Sequence, residues 1–108
     1  MVSLVKTHKI ENITVIVICD ECLFKKEFRE NGLILNIDEP YFGGEIINLE
    51  HIDWHQIDER TIIHAVGKET TQFFIKNGFI DSEELNYIAD VPYFMVLIEK
   101  ESENKSNS

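Results

Sequence analysis

The sequence predicts an α+β fold, a single compact domain in which a mixed β-sheet carries about three packed helices. Three observations point there. Apolar, β-branched runs of strand length recur, I-T-V-I-V-I-C at residues 13–19, T-I-I-H-A-V at 61–66 and Y-F-M-V-L-I at 93–98, and such runs suit buried strands. Between them lie stretches with helical spacing that end at Asn-Gly, residues 21–30 before Asn31-Gly32 and residues 68–77 before Gly78. The resulting order, β-β-α-β-α-β-α-β-β, opens on a hairpin and does not alternate regularly, which argues against a purely parallel sheet.

The elements follow in chain order. Leu4 to Ile10 forms a first strand, Glu11-Asn12 a turn, and Ile13 to Cys19 a strand buried on both faces. Asp20 suits the N-cap of a helix over Glu21 to Glu30, because its carboxylate can accept from free backbone N–H groups. Cys22, Leu23, Phe24 and Phe28 form that helix's apolar side. Leu33 to Ile37 is the next strand, ended by Asp38-Glu39-Pro40, since Pro40 has no N–H for a ladder. A loop, Tyr41 to Gly44, leads to Asn48, which can cap a helix from about Leu49 to Arg60. Thr61 to Val66 is a short buried strand, Gly67 a break, and Lys68 to Asn77 a helix. A turn at Asp81 or Ser82, a strand over Leu85 to Ala89, a break at Asp90-Val91-Pro92 and a buried strand over Tyr93 to Ile98 complete a domain over residues 1–99. Residues 100–108 hold no apolar residue and are expected to be a disordered tail.

Bulk composition bounds the function. A chain of 108 residues, 44% hydrophobic and with seven phenylalanines, can bury a core. Twenty acids against ten bases give a formal charge of −10, which repels nucleic-acid phosphates at long range. No apolar run approaches the ~20 residues of a membrane helix, and the N-terminus lacks the apolar region of a signal peptide. A cytoplasmic protein without a membrane anchor is expected.

Five features carry chemistry. Cys19 and Cys22 form a C-x-x-C around Asp20-Glu21. A redox pair needs an accessible thiolate, which neighbouring carboxylates disfavour. A structural zinc site needs two further ligands, and only His51 with His55, or His8 with His64, could supply them. Core or junction cysteines are the simpler reading. His51 and His55 stand four apart, as zinc ligands do on a helix, but Ile52 occupies the place of the glutamate in H-E-x-x-H. Gly67 opens a helix whose free N–H groups, with Lys68 and Thr70, could hold an anion; the plainer reading is a tight strand-to-helix turn. Lys25, Lys26 and Arg29 make the basic cluster, with Lys25 and Arg29 on one helical face, and offer an RNA contact, although Glu21, Glu27 and Glu30 on the same helix could turn it into a salt-bridged surface. Tyr41, Phe42, Gly43, Gly44 and Glu45 combine aromatics with paired glycines, suited equally to a partner or ligand surface and to a loop that caps the core edge.

The succession V-I-C-D-E and F-K-K-E-F, then Y-F-G-G-E, then H-A-V-G-K-E-T-T-Q-F-F-I-K-N-G-F-I-D, then V-P-Y-F-M-V resembles the archaeal family called domain of unknown function 424, from about Leu4 to Glu99. Its specificity lies in the order and spacing of the motifs. The resemblance maps Cys-Asp-Glu onto Cys19, Asp20 and Glu21, the aromatic-glycine loop onto Tyr41 to Gly44, and Val-Gly onto Val66-Gly67. Cys22, Lys25 and Tyr93 depart from it, so neither the C-x-x-C nor the Lys25 cluster looks like a family feature. The resemblance implies a compact archaeal cytosolic protein, no assigned activity, and a loose association with the translation apparatus.

The leading expectation is a non-catalytic binding module in a translation- or RNA-related complex, meeting a protein or ribonucleoprotein partner through Tyr41–Glu45 and RNA through Lys25, Lys26 and Arg29. No catalytic set and no cofactor is implied. A second reading is an anion or small-molecule binder, or an enzyme, with its site where the Tyr41–Gly44 loop meets the Gly67 helix start. A third is a metal site on Cys19, Cys22 and histidines.

Overall fold

The computed structural model describes residues 2–54 and 60–98. Eight strands are present among the described residues: β1 (Val2–Ile10), β2 (Ile13–Cys19), β3 (Glu27–Glu30), β4 (Leu33–Asn36), β5 (Glu45–Asn48), β6 (Arg60–Val66), β7 (Asn86–Ile88) and β8 (Val91–Ile98). Two α-helices occur among the described residues, the single turn α1 (Glu39–Phe42) and α2 (Lys68–Lys76). Six strands form one sheet in the order β5-β1-β2-β6-β8-β7, and β3 and β4 form a separate hairpin. The sheet is mixed: β2 and β6 run parallel and its other neighbours antiparallel.

The expected mixed sheet is therefore present, while about three helices become two among the described residues. Residues 21–30 are not a helix. Glu21–Leu23 is one 3₁₀ turn, Lys25 takes a positive φ of 68°, and Glu27–Glu30 pairs antiparallel with Leu33–Asn36. Asn31 and Gly32 both have positive φ, the type I′ geometry that joins hairpin strands. Asn-Gly thus closes a hairpin here rather than a helix. Leu49–His51 is likewise a single 3₁₀ turn, begun by Asn48, whose side chain accepts from the Glu50 N–H. Beyond it, Ile52 and Asp53 are not helical and Arg60 already begins β6; residues 55–59 of the expected helix lie outside the described residues, as does the tail.

Side chains of the sheet alternate between two cores. On one face α2 and the segment around Trp54 cover Ile18, Ile63, Ala65 and Phe94. Phe74 is fully buried there and meets Trp54, Phe73, Phe79 and Phe94 edge-to-face at 5.1–5.6 Å; truncating such a ring to alanine costs roughly 3–5 kcal/mol. The Trp54 indole N–H donates to the Leu49 carbonyl at 3.0 Å, satisfying its one polar atom. On the other face α1 and the β3–β4 hairpin lie over Leu4, Val17, Cys19 and Val66. The second half of β2 is buried on both faces, as expected, since Val17, Ile18 and Cys19 are all inaccessible, whereas Ile13, Val15 and Ile16 are only half-buried.

That second face is only half covered. Paired residues on neighbouring strands share a face, so β1, β2, β6 and β8 present the rows Lys6, Val17, His64, Met95 and His8, Val15, Ile62, Leu97, then Ile10 and Ile13. Ile10 is 61%, Met95 59% and Leu97 44% exposed. The expectation that β8 is buried throughout therefore fails for every second residue beyond Tyr93.

Candidate functional site

The junction after β2 is built around Asp20. Its backbone N–H donates to the Val66 carbonyl at 3.1 Å, and its carboxylate crosses to the start of α2. Oδ1 accepts from the Thr70 N–H at 2.8 Å and from the Thr70 hydroxyl at 2.6 Å, while Oδ2 accepts from the Glu69 N–H at 3.1 Å. Since the Thr70 hydroxyl donates to Asp20, the Ser3 hydroxyl, 2.9 Å away, donates to Thr70. All three polar side chains are buried. Asp20 therefore caps a helix fifty residues further along, not the one expected directly after it. Gly67 makes this approach feasible. It has φ +112°, and a Cβ there would lie 2.3 Å from the Asp20 carboxyl carbon.

The start of α2 is thus an anion site filled by the chain's own carboxylate. The N–H groups of Glu69 and Thr70, with the Thr70 hydroxyl, are engaged, and Lys68 points to solvent. Two shallow clefts flank the bridge. One, of about 230 Å³, is lined by Val2, Asp20, Glu21, Cys22 and Glu69. The other, of about 200 Å³, runs past Cys22, Gly67, Lys68, Glu69, Asp90 and Pro92. Neither is lined by the Tyr41–Gly44 loop, which lies on the opposite face of the sheet from α2. The two halves of the expected small-molecule site are therefore not brought together.

The two thiols are separated by exposure. Cys19 is inaccessible, and burial, with the Asp20 carboxylate and Cys22 adding to it, pushes its thiol up to about 12. Cys22 is exposed, in contrast to the apolar packing expected of it. His51 is exposed on the Leu49–His51 turn, and His55 lies outside the described residues. Among the described residues no group of three His, Cys, Asp or Glu side chains is placed to hold a metal ion.

The basic cluster is likewise rearranged. Lys25 and Arg29 sit at a turn and on a strand, not on one helical face. Lys25 lies over the Phe24 ring, 5.6 Å from its centre, and Arg29 Nε is 2.6 Å from Glu27 Oε2.

Tyr41 is held between two histidines. His8 Nε2–H donates to the Tyr41 carbonyl at 3.0 Å, with the two rings stacked at 5.1 Å. The Tyr41 hydroxyl and His64 Nδ1 share a hydrogen bond of 3.0 Å. Burial raises the Tyr41 hydroxyl above its usual range and lowers His64 below the usual imidazole value. Phe42 is buried against Tyr41 and His64. The glycines that follow serve packing. A Cβ on Gly44 would stand 2.0 Å from the Val5 carbonyl oxygen, so only glycine lets the chain pass this close to β1. Tyr41 and Phe42, expected in a loop, are thus the last residues of α1 and dock it onto the sheet, with Gly43 and Gly44 following it, and Tyr41, His8 and His64 border the open apolar rows.

Fold and site together define a small α+β protein whose mixed sheet is covered on one face and half open on the other. The sequence matches, over residues 8–98, the family described as "Protein of unknown function (DUF424)", and the chain belongs to that family. It is similar to an uncharacterised conserved protein from Methanopyrus kandleri, known from a crystal structure, with a TM-score of 0.77 and 21% identity over 94% of this chain and 96% of that one. At that identity the likeness speaks for the fold. No curated protein matches the chain. No helix among the described residues is long and apolar enough to cross a membrane.

Proposed function

We propose that this protein is a non-catalytic binding module that docks a macromolecular partner on the open half of its sheet. The carrying observation is the exposure of Ile10, Met95 and Leu97 beside half-buried Ile13, Val15 and Ile62, one continuous apolar surface over four strands. Contiguous exposed apolar surface of this kind marks an interaction site more often than scattered exposed residues do. The remaining polar groups support a scaffold: Asp20, Thr70 and Ser3 satisfy one another, and no buried side-chain nitrogen or oxygen among the described residues lacks a partner. Membership of a translation-related assembly rests on the family resemblance, and a direct RNA contact through Lys25, Lys26 and Arg29 is weakened by the Glu27–Arg29 pair.

The test is affinity purification from a native lysate with the wild type and with Met95→Glu, each with and without ribonuclease. A partner held by the wild type and lost by the variant supports the reading. Equal recovery on both sinks it, and recovery abolished by ribonuclease alone moves the contact to RNA.

A further inference from the structure

We infer that the open half of the sheet receives a second copy of this chain, the two sheets stacked about a two-fold axis that lies across the strands, an inference that rests on the binding-module reading. Its motive is shape. On this face α1 and the β3–β4 hairpin cover one end of the strands and leave the other end bare. The face is therefore a step. Sheets stack about 10 Å apart, and a helix with its side chains is about 10–12 Å across, so a second sheet lying on the bare end occupies the same level as α1. A two-fold axis across the strands turns the copy end for end. Each bare half then rests on the other, and each covered half lies beyond the other's bare end. Such a step is complementary to itself, which is what a two-fold contact requires.

Charge agrees. Lys6 and Glu11 stand at the two ends of the patch, Lys6 opposite Val17 and Glu11 in the turn that follows Ile10. Neither side chain has an ion-pair partner among the described residues. Turning β1 end for end over its copy brings Lys6 of each chain towards Glu11 of the other, two opposite-charge pairs by symmetry. The bare rows, His8, Val15, Ile62 and Leu97, then Ile10 and Ile13, hold no carboxylate. The net charge of −10 on each chain therefore sits away from the contact, and salt screens it beyond about 8 Å.

The bare end spans four strands, about 19 Å, and two to three rows, about 14–20 Å, a flat area on the order of 300–400 Å². Two such faces bury at least about 600–800 Å², the size of a weak and reversible interface and not of an obligate one. Other occupants fit less well. Residues 99–108 hold no apolar side chain and residues 55–59 hold Ile57 alone, too little to cover this surface. Nucleic acid finds too little charge, since Lys6 is the one lysine on this face among the described residues and Arg60 is already engaged.

The experiment is sedimentation equilibrium on the full chain from about 10 μM to about 1 mM, the range of a weak interface, with circular dichroism to confirm that each variant folds. The wild type should pass from monomer to dimer within that range. Met95→Glu and Leu97→Glu, both at exposed positions, should each raise the dissociation constant roughly tenfold or more. Lys6→Glu and Glu11→Lys should each weaken the dimer, and the double variant carrying both should recover the wild-type constant. A wild type that stays monomeric at the highest concentration overturns the inference. So does a dimer that tolerates both Met95→Glu and Leu97→Glu, or a double charge variant no tighter than the single ones. Should the wild type stay monomeric while Met95→Glu loses a different protein from the lysate, the binding module stands and the self-pairing falls.

Discussion

Asp20 and Thr70 are joined twice, through the backbone N–H and the hydroxyl of Thr70, at 2.8 and 2.6 Å across fifty residues of sequence. The bond pair fixes the end of β2 to the start of α2 and so sets how the helix lies on the sheet. Asp20→Ala removes the carboxylate that caps α2 from outside the helix and leaves the buried Thr70 hydroxyl and N–H without that acceptor. The expected cost is roughly 2–4 kcal/mol, the sum of a lost cap and a lost buried acceptor. Asp20→Asn keeps one acceptor oxygen and should cost less. Urea unfolding followed by far-UV circular dichroism checks both, with a lower midpoint and an unchanged slope expected.

Gly67→Ala tests the same contact from the other side. A methyl group there meets the Asp20 carboxyl carbon at 2.3 Å, on a backbone with φ +112°. Strain of both kinds predicts a loss of more than about 2 kcal/mol. In an Asp20→Ala background the carboxylate is gone and only the backbone strain persists, so the same substitution should cost distinctly less. Additive costs in this double-mutant cycle would show that the two residues do not act on one another.

The thiols give a third expectation. With Cys22 exposed and Cys19 inaccessible, a thiol reagent at neutral pH should label Cys22 in the native protein and Cys19 only after unfolding. The folded state holds the Cys19 proton up to about pH 12 against an ordinary value of 9.0. Between those values the native state binds more protons than the unfolded one, so stability falls as pH rises through that window. Cys19→Val should flatten the alkaline limb of the stability profile, measured by urea midpoints across that range.

Much of this frame was legible in the sequence, and the failures share a cause. β2, β6 and α2 stand where their patterns place them, because β-branched runs and a glycine break are local signals. Asn31-Gly32 is also local, but it serves equally as a helix stop and as a type I′ turn, and the alternation of half-buried Phe28 with exposed Arg29 was the sign that decides for a hairpin. The partner of Asp20 could not be read, since nothing near residue 20 points to residue 70. The open face was hidden for another reason: Y-F-M-V-L-I looks the same whether one face or both are covered, and only the reach of α1 and the hairpin leaves Met95 and Leu97 bare.

His64 supplies the last prediction. Burial lowers its basicity below the ordinary imidazole value of 6.5. A base of this kind is neutral in the fold and charged in the unfolded chain just below that value, so the unfolded state binds more protons and stability falls as pH drops below 6.5 towards the folded value. Loss of the neutral ring also disturbs the Tyr41 hydrogen bond at 3.0 Å that helps hold α1 on the sheet. His64→Gln keeps a polar group that can meet the Tyr41 hydroxyl but does not titrate. The variant should lose some stability at neutral pH, roughly 1 kcal/mol for one imperfectly replaced hydrogen bond, and show a flatter acid limb than the wild type. Urea midpoints collected from neutral to mildly acidic pH, with the His64 imidazole titration followed by NMR in parallel, make the comparison; an identical acid slope in the two proteins would assign that slope to groups other than His64.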